Sequence, residues 1–258
     1  MFGAIVGDIA GSTYEVSNLK DESCPIFRTG SRFTDDTVLT LATAACLLAG
    51  GRYQDYYRRF GRRYPDAGYG GSFMAWLYAE RPEPYGSWGN GAAMRVSPLG
   101  WSAGTLEQAL ELARTSAVVT HDHPEGVKGA QAVASAVFLA RTGYDKEQLR
   151  QFISSHFGYD LDRRLADIRP GYRFDVSCQG SVPEAIIAFL ESADFVDAVR
   201  KAISLGGDSD TIACISGAIA HAFYGEIPSW MVDYCNRALD RAQREIIDSF
   251  WRQYPRTS

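Results

Sequence analysis

The sequence has no paired-cysteine motif, no long apolar run and no excess of basic residues. Its five cysteines are scattered through 258 residues without a C-x-x-C pair, which argues against a disulfide framework and against a zinc ribbon. No apolar stretch reaches the roughly 18 residues of a membrane span, and residues 1–12 lack the basic region of a secretory signal. We therefore expect a cytoplasmic protein without a membrane segment.

The charge balance is slightly acidic, with 31 acidic residues against 26 basic ones and a formal net charge of −5. This balance gives no general attraction to a phosphate backbone, so a nucleic acid is expected as a partner only if it is itself a modified substrate. No linker rich in proline or serine divides the chain, and we expect a single domain over residues 1–258. The expected oligomeric state is a monomer or a weak homo-oligomer.

Apolar residues recur at three- and four-residue spacing along most of the chain, which predicts helices rather than strands. The predicted helices are 3–14, 35–49, 52–63, 71–79, 105–117, 126–141, 145–155, 183–191, 194–204, 209–223 and 229–250. Ala and Gly are frequent within 126–136 and 213–222, which permits close helix packing at many crossing angles. The pattern predicts an all-α fold, a compact orthogonal multi-helix array. Three long loops, 15–33, 80–104 and 156–182, are the predicted ligand-binding surface.

Two similar segments place carboxylates and hydroxyls just before apolar helices, F-T-D-D-T at 33–37 and G-G-D-S-D-T at 206–211. One acid at such a position is usually explained as a helix cap or as a complement to the helix dipole, and Thr34 and Asp208 could be the caps. The dipole is equivalent to only about half a charge, whereas two whole clusters supply four carboxylates that would repel one another if buried together. These four residues are Asp35, Asp36, Asp208 and Asp210.

Two hard divalent cations, Mg²⁺ or Mn²⁺, would offset these four charges, because such ions prefer oxygen ligands. The hydroxyls of Thr34 and Thr211 would add neutral ligands, and Glu15 is a further acid near the start of the chain. Paired ions of this kind orient and activate water, so the pattern predicts a hydrolase. The segments lack the glycine and the distal glutamate of an EF-hand, and they lack the Cys or His ligands that zinc prefers.

Five motifs, in this order, resemble those of the ADP-ribosylglycohydrolase family, which is related to the dinitrogenase reductase-activating glycohydrolase. They are G-D-x-x-G-S-x-Y-E at 7–15, F-T-D-D-T at 33–37, G-N-G-A-A-M-R at 89–95, T-H-x-H-P-x-G at 120–126 and G-D-S-D-T-I-A at 207–213. The resemblance extends over nearly the whole chain. It implies an all-α fold with a dinuclear Mg²⁺ or Mn²⁺ centre that hydrolyses the bond between the distal ribose of ADP-ribose and an acceptor.

The resemblance also implies roles for individual residues. The implied metal ligands are Thr34, Asp35, Asp36, Asp208, Asp210 and Thr211. The implied catalytic residues are Glu15, Asp35, Asp36 and Asp210, with Glu15 as the mobile acid beside the metals. The implied substrate contacts are Tyr85, Ser87, Trp88, Gly89, Asn90, Gly91 and His121. The expected partner is ADP-ribose or an ADP-ribosylated substrate, linked through arginine, serine, an acyl ester or a nucleobase.

Two further segments have simpler alternatives. Residues 84–91 are either an ordinary glycine-rich turn or a loop whose backbone amides approach a diphosphate while its rings stack on a base. His121 and His123 form an H-x-H, but no other Cys or His supports zinc, and His123 with Pro124 is expected to cap the helix that starts near Glu125.

The arginines of the predicted helix 52–63 alternate with tyrosines, a pattern that we interpret as a solvated face, with nucleic-acid contact as the alternative. They are Arg58, Arg59, Arg62 and Arg63. Cys46 and Cys214 lie in apolar helices and are expected in the core rather than as nucleophiles, and His221 is expected to be structural.

Two other functions remain open at this point. The first is a non-catalytic ADP-ribose-binding or structural protein on the same scaffold, although five acids near a pocket are costly without the ions that they bind. The second is a metal-dependent phosphatase or phosphodiesterase. Release of ADP-ribose rather than inorganic phosphate would separate the hydrolase from this second alternative.

Overall fold

A computed structural model describes residues 1–15 and 17–255, and these residues form an all-α fold. The fourteen α-helices of this part of the chain are α1 (Phe2–Gly11), α2 (Asp35–Ala49), α3 (Tyr53–Arg63), α4 (Gly71–Tyr78), α5 (Ser97–Ser102), α6 (Leu106–Ala117), α7 (Pro124–Arg141), α8 (Lys146–Phe157), α9 (Leu165–Ile168), α10 (Cys178–Leu190), α11 (Phe195–Ser204), α12 (Ser209–Tyr224), α13 (Ser229–Ala238) and α14 (Arg241–Gln253). A 3₁₀ turn spans Asn90–Ala92, and no strand occurs within these residues apart from one isolated antiparallel bridge between Gly89 and Ser177.

The all-α prediction is confirmed, and the structure differs from it in the ends, the division and the number of the helices. The predicted helix 229–250 is two helices, α13 and α14, because Asp240 begins the second one with a capping box to Gln243. The predicted helix 183–191 begins earlier, at Cys178, and carries Pro183 in its interior. The short helices α5 and α9 were not predicted. That residues 1–258 form one domain stays a prediction.

Helix α12 is the centre of the fold. It contacts α1, α7, α10 and α11, and its residues from Ser209 to Ala222 are all buried. A helix that is apolar and small on every side has no solvent face, so it is covered by other helices all round. The acids at its N-terminus are therefore held at a fixed place inside the molecule.

Helices α1 and α12 pack with their backbones in close contact. A Cβ atom added to Gly7 would lie 1.9 Å from the carbonyl oxygen of Ala213, and one added to Gly11 would lie 2.3 Å from that of Ser209. Only glycine permits this approach. The contact brings Asp8 of α1 close to the first turn of α12.

The basic residues of α3 are used within the fold. The side chain of Arg58 donates to the carbonyl oxygens of Leu77 and Ala79, and Arg62 Nη2 donates to that of Leu77 at 2.9 Å. These bonds satisfy carbonyls at the C-terminal end of α4. Arg58 and Arg62 thus stabilise the end of α4, and the side chains of Arg59, Arg62 and Arg63 are exposed, as expected for a solvated face.

The residues predicted to be structural are buried. Cys46 and Cys214 lie in the core, and His221 Nδ1 accepts a hydrogen bond from the backbone N–H of Gly3 at 3.2 Å. His123 caps α7, because its Nδ1 accepts from the backbone N–H of Glu125 at 3.1 Å. Among the described helices, none combines the length and apolar character needed to cross a lipid bilayer.

Candidate active site

A cavity of about 420 Å³ opens where the N-terminal ends of α2 and α12 meet the loops after α1 and before α5. This volume lies within the range of small-molecule sites. The predicted site residues that line it are Glu15, Thr34, Asp35, Asp36, Tyr85, Ser87, Gly89, Asn90, Gly91, His121, Asp208, Asp210 and Thr211. The structure therefore gathers thirteen of the fourteen predicted residues, from the five motifs and the segment 84–88, around one space.

Trp88 is the exception. Its side chain is 55% exposed, lies outside the cavity lining and packs against the ring of His123, with the ring centroids 5.8 Å apart. The segment before the 3₁₀ turn is not helical, and in extended backbone successive side chains face opposite sides. Because Ser87 and Gly89 face the cavity, Trp88 faces away from it.

Three acids lie together at one side of the cavity. Carboxylate oxygens of Glu15, Asp208 and Asp210 all lie within 4.8 Å of one another. The last two belong to the start of α12, and Glu15 follows α1. A cation that takes oxygen ligands fits this group, and Glu15 lies beside the two aspartates.

The N-terminus of α2 completes the acid cluster. Asp36 is 2% exposed, its Oδ1 accepts a hydrogen bond from Thr211 Oγ1 at 3.3 Å, and its Oδ2 has no partner within the described part of the chain. A buried carboxylate oxygen without a donor is costly unless a cation neutralises it. The donor set of carboxylates and hydroxyls therefore fits a hard divalent ion.

Asp8 organises this cluster, and it was not among the predicted site residues. It is fully buried and accepts four hydrogen bonds, from the backbone N–H and the hydroxyl of both Thr34 and Thr37. The Thr34 hydroxyl donates to Asp8 Oδ1 at 2.6 Å and accepts from the backbone N–H of Asp36 at 3.3 Å. Asp8 thereby fixes the direction of the Thr34 hydroxyl and the start of α2. The sequence signal was a single acid inside an apolar helix.

The cavity wall opposite the acid cluster is formed where the loop before the 3₁₀ turn meets the loop before α10. The backbone N–H of Asn90 donates to the carbonyl oxygen of Val176 at 2.8 Å, and that of Cys178 donates to Trp88 at 2.9 Å. The side-chain amide of Asn90 donates to Asp208 Oδ2 at 2.7 Å, so this predicted substrate contact holds an acid in place. Phe174 and Val176 line the cavity and are more than half exposed, although only their loop was predicted to bind a ligand.

The fold and these motifs agree with comparisons with known proteins. A family model described as ADP-ribosylglycohydrolase matches residues 1–257. The chain belongs to the ADP-ribosylglycohydrolase family. It is 28% identical to the human ADP-ribosylhydrolase ARH3 over 88% of this chain and 86% of that protein, and 25% identical to the Danio rerio ADP-ribosylhydrolase ARH3 over 90% and 84%.

A solved structure of the same kind supports the assignment. The structure titled ADP-ribosylglycohydrolase-related protein complex superposes with a TM-score of 0.70 and 26% identity, covering 99% of this chain and 97% of that one. As an ADP-ribosylglycohydrolase, the protein is a glycohydrolase. The family predicted from the five motifs is thus confirmed.

Burial and mutual repulsion raise the pKa values of the acids in this glycohydrolase. Burial first, and then the charges of Asp8 and Asp208, raise the pKa of Asp35 to about 8. The same causes raise the pKa of Asp36 and of Asp210 well above the usual range. Without a cation, the cluster therefore holds protons near neutral pH, and a cation would have to displace them.

The metal-free protein is expected to become less stable as the pH rises from about 4 to about 8. Because its carboxyl pKa values are raised, the folded protein keeps protons that the unfolded chain has already released. For Asp35, the stabilisation from this proton is complete below pH 3.8, the pKa in the unfolded chain. It is lost as the pH rises through about 8, the pKa in the folded protein. Thermal unfolding in EDTA across this interval measures the effect. A midpoint that rises with pH in EDTA would contradict it, and Asp35→Asn should flatten the decline.

The loop that carries Glu15 is anchored at the start of the second acid segment and at Tyr172. Lys20 Nζ donates to the carbonyl oxygens of Tyr172, at 2.7 Å, and Leu205. Asn18 Oδ1 accepts from the backbone N–H of Gly207 at 3.1 Å. These contacts hold Glu15 beside the first turn of α12.

Proposed function

We propose that this glycohydrolase is metal-dependent and releases ADP-ribose from an acceptor by hydrolysing the bond at the distal ribose. The single observation that carries the proposal is the buried Asp36 Oδ2 without a hydrogen-bond donor, inside a cavity lined by further carboxylates and hydroxyls. Such a site is electrostatically unfavourable when empty and favourable around cations.

The proposed cofactors are two Mg²⁺ or Mn²⁺ ions. Their ligands would be Thr34, Asp35, Asp36, Asp208, Asp210 and Thr211, all of which line the cavity. The four aspartates supply a charge of −4 when ionised, which two divalent ions would balance. When bound, the ions would supply Lewis-acid chemistry and lower the pKa of a coordinated water.

The carboxylates and Glu15 have separate roles in the proposed reaction. Hydrolysis at the anomeric carbon develops positive charge on the sugar, which the ionised carboxylates stabilise. Glu15 is half-buried, and burial together with the charges of Asp208 and Asp8 raises the pKa of Glu15. A carboxyl group with a raised pKa is suited to taking up and returning a proton near neutral pH.

The other wall would hold the ADP part of the substrate. Its proposed contacts are Tyr85, Ser87, Gly89, Gly91 and His121, with Asn90 acting through Asp208 and Trp88 lying outside. Arginine, serine, acyl-ester and nucleobase linkages present the same ADP-ribose to these residues. A cytoplasmic location and a monomeric or weakly oligomeric state remain predictions.

Glu15→Gln is expected to lower kcat by about 100-fold or more, since loss of a general acid or base costs about 10²–10⁴. Metal content should stay unchanged, because Glu15 is outside the proposed ligand set and all six proposed ligands are intact. Turnover and metal analysis of the same preparation measure both quantities. Glu107→Gln, at an exposed position of α6, is the matched control. An unchanged kcat would rule out a chemical role for Glu15.

Release of free ADP-ribose from a panel of arginine-, serine-, acyl- and nucleobase-linked substrates tests the proposal. The panel is measured with Mg²⁺, with Mn²⁺ and with EDTA, and the double variant Asp35→Ala with Asp210→Ala serves as the blank. We expect cleavage of at least one linkage, only with metal and only by the unmutated protein. Cleavage that persists in EDTA would refute metal dependence. Release of inorganic phosphate instead of ADP-ribose would refute the reaction.

A further inference from the structure

The two ring nitrogens of His121 face different surroundings in the cavity wall. Nδ1 lies 2.7 Å from the hydroxyl oxygen of Thr120. Nε2 faces the glycine turn, where a Cβ added to Gly91 would lie 3.2 Å from it and one added to Gly89 would lie 3.6 Å away. Burial, and then the nearby charge of Arg95, lower the pKa of His121 well below its usual value. The ring is therefore neutral near pH 7 and carries one proton.

The direction of the Thr120 hydroxyl decides which nitrogen carries that proton. Arg95 Nη2 lies 2.9 Å from Thr120 Oγ1 and, as a guanidinium nitrogen, can only donate. The carbonyl oxygen of Ala117 lies 3.5 Å from the same hydroxyl and already accepts from the backbone N–H groups of Thr120 and His121, at 3.1 and 2.8 Å. The nearest open acceptor for the Thr120 proton is therefore His121 Nδ1.

Because Arg95 donates to the Thr120 hydroxyl, the Thr120 proton is left for His121 Nδ1. In the reverse arrangement His121 Nδ1–H would donate to Thr120, and the experiment below separates the two.

The chain of hydrogen bonds from Arg95 through Thr120 to His121, called the relay below, begins at the Arg95 guanidinium, which can only donate. Arg95 has no exposed surface, lies 4.1 Å from the centre of the Tyr57 ring and also donates to the carbonyl oxygen of Ser116 at 2.9 Å. Its Nε and Nη1 atoms have no hydrogen-bond partner within residues 1–15 and 17–255. A guanidinium stays charged at any ordinary pH, whereas a hydroxyl in this place could reverse its direction.

We infer that Arg95 and Thr120 are positioning residues that hold His121 as its Nε2–H tautomer, with this N–H directed at the cavity beside Gly89 and Gly91. What the N–H binds rests on the proposed function: a phosphate oxygen of ADP-ribose is an acceptor that matches this donor. The other tautomer would present a lone pair at the same place and would repel the anion.

The tautomer is measured directly by long-range ¹H–¹⁵N correlation spectra of the ligand-free, metal-free protein. The chain has four histidines, and loss of one signal in His121→Gln assigns the resonance. We expect an unprotonated Nδ1 and a protonated Nε2 in the native chain and in Thr120→Ser. A protonated Nδ1 in the native chain would overturn the inference, whether or not the protein hydrolyses any substrate.

Binding of free ADP-ribose by calorimetry gives the second readout. Thr120→Val keeps the shape of the side chain and removes the hydroxyl, so it should weaken binding about 10-fold and raise KM with little change in kcat. Thr120→Ser should restore binding, and Thr115→Val, at an exposed position of α6, is the matched control. Unchanged affinity and an unchanged tautomer in Thr120→Val would refute the relay. Failure of hydrolysis with the native tautomer intact would refute the proposed function alone.

Discussion

Asp210→Asn is expected to lower the rate of ADP-ribose release by at least about 100-fold. Removing a group that only orients a metal ligand typically costs about 10- to 100-fold, so loss of a proposed ligand should cost more. The effect should appear with both Mg²⁺ and Mn²⁺ and should be accompanied by loss of bound metal. Asp233→Asn, at an exposed position of α13, is the matched control.

The same substitution should stabilise the metal-free protein. Burial and the charges of Asp208, Asp36, Asp8 and Glu15, in that order, raise the pKa of Asp210. An asparagine removes this repulsion, and its Oδ1 can still accept the hydrogen bond that Asp210 accepts from the backbone N–H of Thr211 at 3.0 Å. We expect the Tm in EDTA near pH 8 to rise by about 2–8 °C, since each kcal/mol of added unfolding free energy raises the Tm by about 2–4 °C. A lower Tm with unchanged turnover would contradict the proposed role.

Gly7→Ala is expected to destabilise the fold by about 3 kcal/mol or more, equivalent to a fall in Tm of about 6–12 °C. The added Cβ would lie 1.9 Å from the carbonyl oxygen of Ala213 and 2.4 Å from its carbonyl carbon. Because these are backbone atoms, no rotamer change relieves the overlap, and α1 must move away from α12. Differential scanning calorimetry measures the loss.

A matched control for Gly7→Ala is Gly171→Ala, where nothing lies within 4 Å of an added Cβ. Separation of α1 and α12 also moves Asp8 away from Asp210. We therefore expect Gly7→Ala to lower both the metal affinity and the stability of the fold. A Tm within about 1 °C of the unmutated protein would show that this close approach does not hold in solution.

The sequence allowed the acid cluster to be predicted because its members are grouped locally. Asp35 with Asp36, and Asp208 with Asp210, stand together at helix starts, where a cap and the dipole cannot account for both charges. The spacing of neighbouring acids at a helix start is visible in the sequence and does not depend on the tertiary packing. The cavity position of Glu15 also agrees with the opening motif.

The role of Asp8 could not be predicted from the sequence. The hydroxyls that it binds belong to Thr34 and Thr37, which are 26 and 29 positions away along the chain. No local spacing in the sequence predicts that Asp8 binds these two threonines. The apolar character of α1 also gave no reason to place Thr34 beside that helix. The roles of Trp88 and Asn90 depended in the same way on the facing loop, because the bonds to Cys178 and Val176 set the direction of both.

The two carbonyls bound by Lys20 lie in different regions of the site, which Asn90 also connects through its bonds to Val176 and Asp208. One carbonyl precedes the wall containing Phe174 and Val176, and the other precedes the turn into α12. Because both contribute to the Lys20 contacts, we expect ordering of that wall and ordering of the Glu15 loop to favour each other. By thermodynamic reciprocity, a ligand that rests on Phe174 also favours the placement of Glu15 without touching it, and occupancy near Glu15 tightens the hold on that ligand by the same factor.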